Sequence, residues 1–289
     1  PSKAAEEGTD PRDGAVATLA ERGGSASPPP PPPPRKRAED QGSQWVTLLS
    51  IVVGLVLWAA VAERVGPLLL ASPWQVGKVF AGEQGPRLAE ATLYTLKSAL
   101  LGLLFATSVG IGTAVIGWRS ALARQALAPY LSLIQVIPIV AIAPLLLVWL
   151  GYGSTVALVT ASIASFYPVY AATATGLMAP SVEQVDLLRL YGAGRAQELW
   201  YLRLPAALPA LFSGLRTAAG LSVIGTIVGE FVASNGLPPT LGFLVISGAR
   251  AARTDLSFAA VVCAGALAMV FSALLGMLER RLIGRWYGA

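Results

Sequence analysis

The sequence predicts an all-α, polytopic membrane protein with six transmembrane helices. Hydrophobic residues make up 54% of the 289 residues and charged residues only 13%, whereas soluble domains carry about 25% charged residues. The mean hydropathy is +0.62. Apolar segments long enough to cross a hydrocarbon core of about 30 Å also recur along the chain. These three observations exclude an ordinary soluble domain.

Residues 1–44 differ from the rest of the chain in composition. They are rich in Pro, Gly, Ser and charge and include the proline run Pro28–Pro34. Such a segment buries little apolar surface, so it is predicted to be a disordered tail with a polyproline II stretch. A proline-rich ligand for another protein is the alternative. The segment has no apolar core typical of a signal peptide.

Six spans are predicted between residues 45 and 289. The third contains Pro129, Pro138 and Pro144, so kinks are expected in it, because proline removes a helical hydrogen bond. Gly225 and Gly229 in the fifth should allow a close helix approach. In chain order the predicted spans are Trp45–Ala62, Leu93–Trp118, Leu122–Leu150, Val156–Met178, Ala206–Val232 and Leu256–Leu278.

The distribution of Lys and Arg predicts the orientation of these spans. Most basic residues of the connections, among them Arg119, Arg189 and Arg280, would lie on the same side as the N-terminus. Basic loops face the cytoplasm. Both termini, the tail at residues 1–44 and the connection at about 180–205 are therefore predicted to be cytoplasmic.

The connection between the fourth and fifth spans is polar, unlike its surroundings. Ser181 is a candidate N-cap. Val185, Leu188 and Tyr191 lie at helical spacing and predict one exposed apolar strip. Gly192 should permit a tight reversal, where we expect any larger side chain to clash. A second amphipathic piece, Gln197–Leu204, follows. On these residues alone, the strip fits a groove on a partner protein or the lipid headgroups equally well.

The same connection carries a family resemblance. Its pattern is Asp186-Leu187-Leu188-x3-Gly192-x9-Leu202-x-Leu204-Pro205. This resembles the "EAA" loop of permease subunits in binding-protein-dependent ABC importers, and it departs from that pattern in having Asp-Leu-Leu in place of Glu-Ala-Ala. The resemblance extends over residues 45–289 and is closest to the nitrate, sulfonate and taurine branch. Further matching segments are Ser72-Pro73, Ala91-Thr92-Leu93, Ile137–Gly153, Phe166-Tyr167-Pro168, Glu230 and Leu278–Trp286.

The resemblance implies a fold, a function and a set of partners. The fold would be that of a type I ABC importer permease, a multi-pass protein of the bacterial inner membrane. Its partners would be a second permease copy, two cytoplasmic ATPase subunits that hold ATP and Mg, and an extracytoplasmic solute-binding protein. The solute would be a small anion such as nitrate, a sulfonate, taurine or bicarbonate, or else a vitamin or precursor such as riboflavin or a thiamine pyrimidine. The residues expected to couple to the ATPase are Asp186, Leu187, Leu188, Tyr191, Gly192, Ala193, Leu202, Leu204 and Pro205.

Several polar residues within the spans are candidates for the solute path. An ionisable group at membrane depth usually faces a cavity or a partner, so Glu230 is expected to act in a gate or to pair with Arg250 or Arg253. The remaining candidates either line the path or join helices by hydrogen bonds. They are Gln135, Ser165, Tyr167 and Tyr170.

Some kinds of chemistry lack the necessary residues. The sequence has no histidine and a single cysteine, Cys263, so no catalytic or metal site and no cofactor in this chain are predicted. It has no G-x4-G-K-[ST] phosphate loop, so ATP hydrolysis would belong to another subunit. Its basic residues are scattered, so nucleic acid is not expected as a partner. A stand-alone channel or sensor is the remaining alternative.

Overall fold

The computed structural model describes the backbone of residues 36–287 and the side chains of residues 45–282. Residues 1–35 of the tail predicted for residues 1–44 therefore lie outside the described residues. Every regular element in the described part is helical. In chain order the helices are α1 (Lys36–Val65), α2 (Pro73–Ala81), α3 (Gly85–Arg119), α4 (Ala121–Val136), α5 (Ile139–Leu150), α6 (Ser154–Leu177), α7 (Val182–Leu190), α8 (Arg195–Glu198), α9 (Leu204–Ala233), α10 (Leu241–Arg250) and α11 (Thr254–Tyr287).

Long apolar helices confirm the predicted membrane fold. Among the described residues, 5 helices are long and apolar enough to span a membrane, or up to 6 if one sharply bent pair counts as a single span. The predicted span at Leu93 begins earlier, because α3 starts at Gly85. The chain divides into two compact units, Pro1–Val53 and Gly54–Ala289, and the second contains α2–α11.

The third predicted span is broken. Helices α4 and α5 meet at an angle of 99°, and the break falls at Ile137 and Pro138, where both residues have extended backbone. A residue before proline avoids the helical conformation, which explains why α4 ends at Val136. Pro129 and Pro144 lie inside α4 and α5, so only one of the three prolines divides the span.

Helices α3, α6 and α9 form the centre of the second unit. Small residues bring α9 close to α6, as the Gly225-x3-Gly229 spacing predicts. A Cβ atom at Gly225 would lie 2.7 Å from the carbonyl oxygen of Thr160, and one at Gly229 would lie 2.6 Å from the Cα of Ala157. Close packing of this kind stabilises helix pairs where the surroundings are apolar.

Two short helices lie at the end of the bundle opposite α7. Helix α2 begins with a capping box, in which the Ser72 hydroxyl accepts from the N–H of Gln75 and the Gln75 side chain accepts from the N–H of Ser72. Thr240 is the N-cap of helix α10, and its hydroxyl accepts a hydrogen bond from the N–H of Phe243. The peptide bond between Leu237 and Pro238, in the loop before α10, is cis. Neither helix is predicted from the apolar pattern, because both are too short to span.

Candidate functional site

The segment between α6 and α9, residues 182–203, is called the elbow below. Its first helix, α7, starts as predicted at Ser181. The Ser181 hydroxyl accepts from the N–H of Gln184, and the Gln184 side chain accepts from the N–H of Ser181, which is a capping box. The pKa of the exposed Glu183 carboxyl is lowered by a hydrogen bond from the Ser181 side chain and by another from the backbone N–H of Glu183. The start of α7 is thus fixed by local hydrogen bonds.

The elbow reverses at Gly192. The N–H of Gly192 donates to the carbonyl of Arg189 at 2.9 Å, and the N–H of Ala193 donates to that of Leu188 at 3.3 Å. This pair of bonds forms a Schellman motif, which needs a left-handed residue, and Gly192 has φ +77°. The prediction that a larger side chain would clash at Gly192 is wrong, since no atom lies within 4 Å of a Cβ built at this position. Glycine is favoured here by its backbone conformation alone.

The apolar face of α7 that reaches solvent differs from the predicted strip. Val185 is buried and Leu188 is half-buried, so these two residues pack against the protein. The exposed fraction is 56% for Leu187 and 84% for both Leu190 and Tyr191. The predicted strip of Val185, Leu188 and Tyr191 is therefore wrong at its first two positions. We call Leu187, Leu190 and Tyr191 the exposed face.

The second half of the elbow leads without interruption into α9. Helix α8 begins at Arg195, where the N–H of Gly194 donates to the Gln197 side chain at 2.8 Å. A π-helical turn, Leu199–Arg203, joins α8 to α9. Leu204 packs in a cluster with Leu177 and Ala207. The other two coupling candidates of this region, Leu202 and Pro205, are half-buried at the same junction.

A charged network that the sequence does not predict holds the elbow together. Glu198 is 4% exposed, and its Oε1 accepts a hydrogen bond from Nε of Arg203 at 2.7 Å. The Oε2 of Glu198 lies 3.5 Å from Nη2 of Arg189. The other terminal nitrogen of Arg189, Nη1, lies 3.8 Å from Oδ1 of Asp186. In the sequence, this network is indicated only by opposite charges spaced along an amphipathic segment. Exposed ion pairs on protein surfaces have the same spacing, so the sequence does not distinguish a buried network from them.

Glu230 anchors α10 rather than pairing with an arginine. Its Oε2 accepts from the N–H of Gly242 at 2.9 Å, and its Oε1 accepts from the hydroxyl of Thr95 at 2.9 Å. A carboxylate at a helix N-terminus is stabilised by the free N–H groups and the helix dipole. In the described part of the chain, Arg253 pairs instead with Asp255. The expected ion pair of Glu230 is therefore wrong.

Comparison with known proteins decides the family. Residues 92–284 match the family described as binding-protein-dependent transport system inner membrane components. The chain belongs to this family. It is the permease component of an ABC importer, as the pattern around Gly192 predicts. Proteins of this kind work with an ATPase and a solute-binding protein.

Relatives with assigned roles are also transport permeases. The permease is 35% identical to the riboflavin transport system permease protein RibX of Chloroflexus aurantiacus, over 85% of this chain and 92% of that protein. It is 31% identical to the taurine transport system permease protein TauC of Escherichia coli, with the same coverage of 85% and 92%. An amino acid ABC transporter crystallised with histidines has the same fold, with a TM-score of 0.54, 19% identity and coverage of 68% and 94%.

The candidate path residues of the permease occupy different environments. Gln135 is exposed near the break between α4 and α5. Ser165 is fully buried and donates to the carbonyl of Ala161 within its own helix, so in this structure it does not line an open path. Tyr167 and Tyr170 are half-buried, with ring centroids 6.3 Å apart.

A cavity of about 470 Å³ lies at the end of the permease opposite the elbow. Its lining includes Ser234 after α9, and Phe243, Ser247 and Arg250 on α10. Arg250 is exposed there. Because Glu230 fixes the start of α10, it also fixes the helix that carries the guanidinium group. The cavity combines a cation, hydroxyl groups and an aromatic ring.

Proposed function

We propose that the exposed face of the elbow docks into an ATPase subunit. The observation that carries this proposal is the exposure of Leu187, Leu190 and Tyr191 on a short helix with fixed ends. Apolar side chains that the described chain leaves uncovered are typical of a surface that inserts into a partner's groove. Asp186, at the side of this face, forms an ion pair with Arg189 and would remain solvated at the rim of the contact.

The other environment for such a helix is the lipid surface. A helix that lies on headgroups usually carries Lys and Arg on its polar face, because membranes present anionic lipids. Helix α7 carries Glu183 and Asp186 on its solvent side, with Arg189 as its single basic residue. It is also only 9 residues long. These features favour a protein groove over a headgroup layer.

The docked elbow implies an assembly and an orientation. Six spans are few for a closed path, so two copies of the permease would face each other, with one ATPase beneath each elbow. Both termini and the elbow would be cytoplasmic in a bacterial inner membrane, and the solute-binding protein would dock at the opposite end. ATP and Mg would be held by the ATPase subunits, with no cofactor or catalytic residue in this chain.

Transport would follow from the motion of the two elbows. ATP binding would close the ATPase dimer and draw the elbows together, which would rock the spans from an inward-open to an outward-open arrangement. Hydrolysis would reset them. Each ligand must bind one arrangement better than the other for this cycle to run.

A small anion such as a sulfonate is the solute that we favour. The support is the relation to a taurine permease and the placement of Arg250 in the cavity at the far end, since a guanidinium group binds sulfonate or carboxylate oxygens. A vitamin is the second candidate. The relation to a riboflavin permease and the aromatic ring of Phe243 in the same cavity favour it.

Reconstitution tests both parts of this proposal. The tagged permease is co-expressed with its ATPase subunit, purified, and placed in vesicles with ATP inside and, outside, the solute-binding protein together with taurine, nitrate or riboflavin. Co-purification of the ATPase and ATP-dependent uptake are expected. Conductance of the purified permease without any ATPase would indicate a stand-alone channel and contradict the proposal.

A further inference from the structure

A buried ion pair joins the second half of the elbow to the spans. Glu198 ends α8, and Arg203 is the last residue of the π-helical turn that precedes α9. The Glu198 side chain is 5% exposed and that of Arg203 is 14% exposed. Nη2 and Nε of Arg203 both lie 2.7 Å from Oε1 of Glu198. This is the most enclosed ion pair among the described residues.

Burial makes the geometry of this pair demanding. A charge removed from water is costly unless a partner and hydrogen bonds compensate it. Both carboxylate oxygens of Glu198 have such a partner, because Oε1 faces Arg203 and Oε2 lies 3.5 Å from Arg189 of α7. If α7 moved away from α8, Oε2 of Glu198 would lose Arg189 as its partner, on a side chain that is only 5% exposed. The network therefore resists separation of the two halves of the elbow.

The remaining groups of Arg203 reach the ends of two spans. Its Nη1 donates to the carbonyl oxygen of Leu177 at 2.6 Å, and Leu177 is the last residue of α6. The last carbonyls of a helix have no partner within the helix, so Arg203 supplies one. Its guanidinium carbon lies 5.3 Å from the ring centroid of Trp118, near the end of α3. One side chain thus contacts α3, α6 and the start of α9.

We propose that Glu198 and Arg203 are positioning residues that make the elbow and the adjacent ends of α3, α6 and α9 move as one body. A displacement of the elbow would then reach the spans and would not be absorbed within the loop. The inference rests on the proposed docking of the elbow to an ATPase. The exposed face shares no side chain with the pair, so docking and transmission are separable by mutation.

The distance between two spin labels tests the rigid connection directly. In a background with Cys263→Ala, labels are placed at Ala196 on α8 and Ile116 on α3, both exposed. With Glu198 and Arg203 unchanged, the distance between the two labels should have one narrow distribution in the purified permease, with or without an ATPase. Glu198→Gln keeps the shape and removes the charge, and should broaden the distribution about twofold. Glu183→Gln, the same change at an exposed carboxylate of α7, is the matched control.

A second variant separates the pair from overall folding. Arg203→Lys keeps the charge but lacks the planar fork that contacts Glu198 and Leu177 together, so it should broaden the distribution as Glu198→Gln does. A narrow distribution in both variants would overturn the proposal. A loss of folded protein, with an unchanged distribution in the remainder, would show a merely structural pair and would also overturn it.

The assembled importer tests transmission. In Glu198→Gln, the ATPase should co-purify in unchanged amount, while uptake of taurine or riboflavin per ATP hydrolysed should fall about tenfold. Unchanged uptake per ATP would refute transmission through this pair while leaving the docking proposal intact. Failure of the ATPase to co-purify with the unmutated permease would instead refute the docking. The label distances would still decide whether the pair holds the elbow rigid.

Discussion

Replacement of Tyr191 by alanine separates the affinity of the elbow for its partner from the stability of the permease. Tyr191 is the C-cap residue of α7, and 84% of its surface is exposed. No cavity forms when such a side chain is truncated, so the free energy of unfolding should change by less than about 0.5 kcal/mol. Any larger effect of the substitution must therefore appear in a complex.

The expected loss of affinity follows from this exposure. A tyrosine that enters a groove buries about 150 Å², which corresponds to about 3 kcal/mol for the exposed part at about 25 cal/mol/Å². Ordering the side chain costs about 1 kcal/mol. A net loss of about 2 kcal/mol per elbow remains, which raises Kd about 30-fold.

Titration of the purified permease with the ATPase subunit measures this Kd. Tyr152→Ala is the matched control, because Tyr152 is 70% exposed and lies at the opposite end of the bundle. Its Kd should equal that of the unmutated permease. If the ATPase bound Tyr191→Ala with the same Kd as the unmutated permease, the exposed face would not fill a groove on the ATPase.

Three further substitutions test the fold around the site. Gly192→Val should weaken ATPase binding by about 1–2 kcal/mol, because a branched residue opposes a positive φ, whereas Gly192→Asn should bind nearly normally; titration measures both. Glu230→Ala should lower the free energy of unfolding by about 3 kcal/mol, because the N–H of Gly242 and the hydroxyl of Thr95 would lose their acceptor; an unchanged Tm in thermal unfolding in detergent would contradict this. Gly225→Leu should lower Tm because its Cβ would lie 2.7 Å from the carbonyl of Thr160. Gly220→Leu, where no atom lies within 4 Å, is its control, and equal Tm values would disprove the close packing.

The sequence predicts the spans well because apolar length is a strong and local signal. Predicted and observed bounds of the fourth span differ little, Val156–Met178 against Ser154–Leu177. The capping of α7 at Ser181 and the reversal at Gly192 are also local, so they follow from residue type. The sharp break at Pro138 is only partly predictable, because Pro129 and Pro144 carry the same signal and remain within helices.

Interactions between distant residues are the part that the sequence does not predict. Val185 and Leu188 have the periodicity of an exposed strip, but neighbouring elements cover them. Glu230 finds Thr95, which is 135 positions away, and no pattern within either helix indicates that pairing. Glu198 and Arg203 are close in sequence, yet their burial depends on Trp118 and the end of α6. In each case tertiary packing decides what a local pattern leaves open.

A photo-crosslinker at position 190 would identify what covers the elbow in the membrane. Leu190 belongs to the exposed face and is 84% exposed, so a benzophenone side chain there would reach any molecule that lies against α7. If the elbow docks into an ATPase, the crosslinked product contains the ATPase subunit, and it disappears when the ATPase is not expressed. Crosslinks to phospholipid alone, with the ATPase present, would contradict the docking of the elbow.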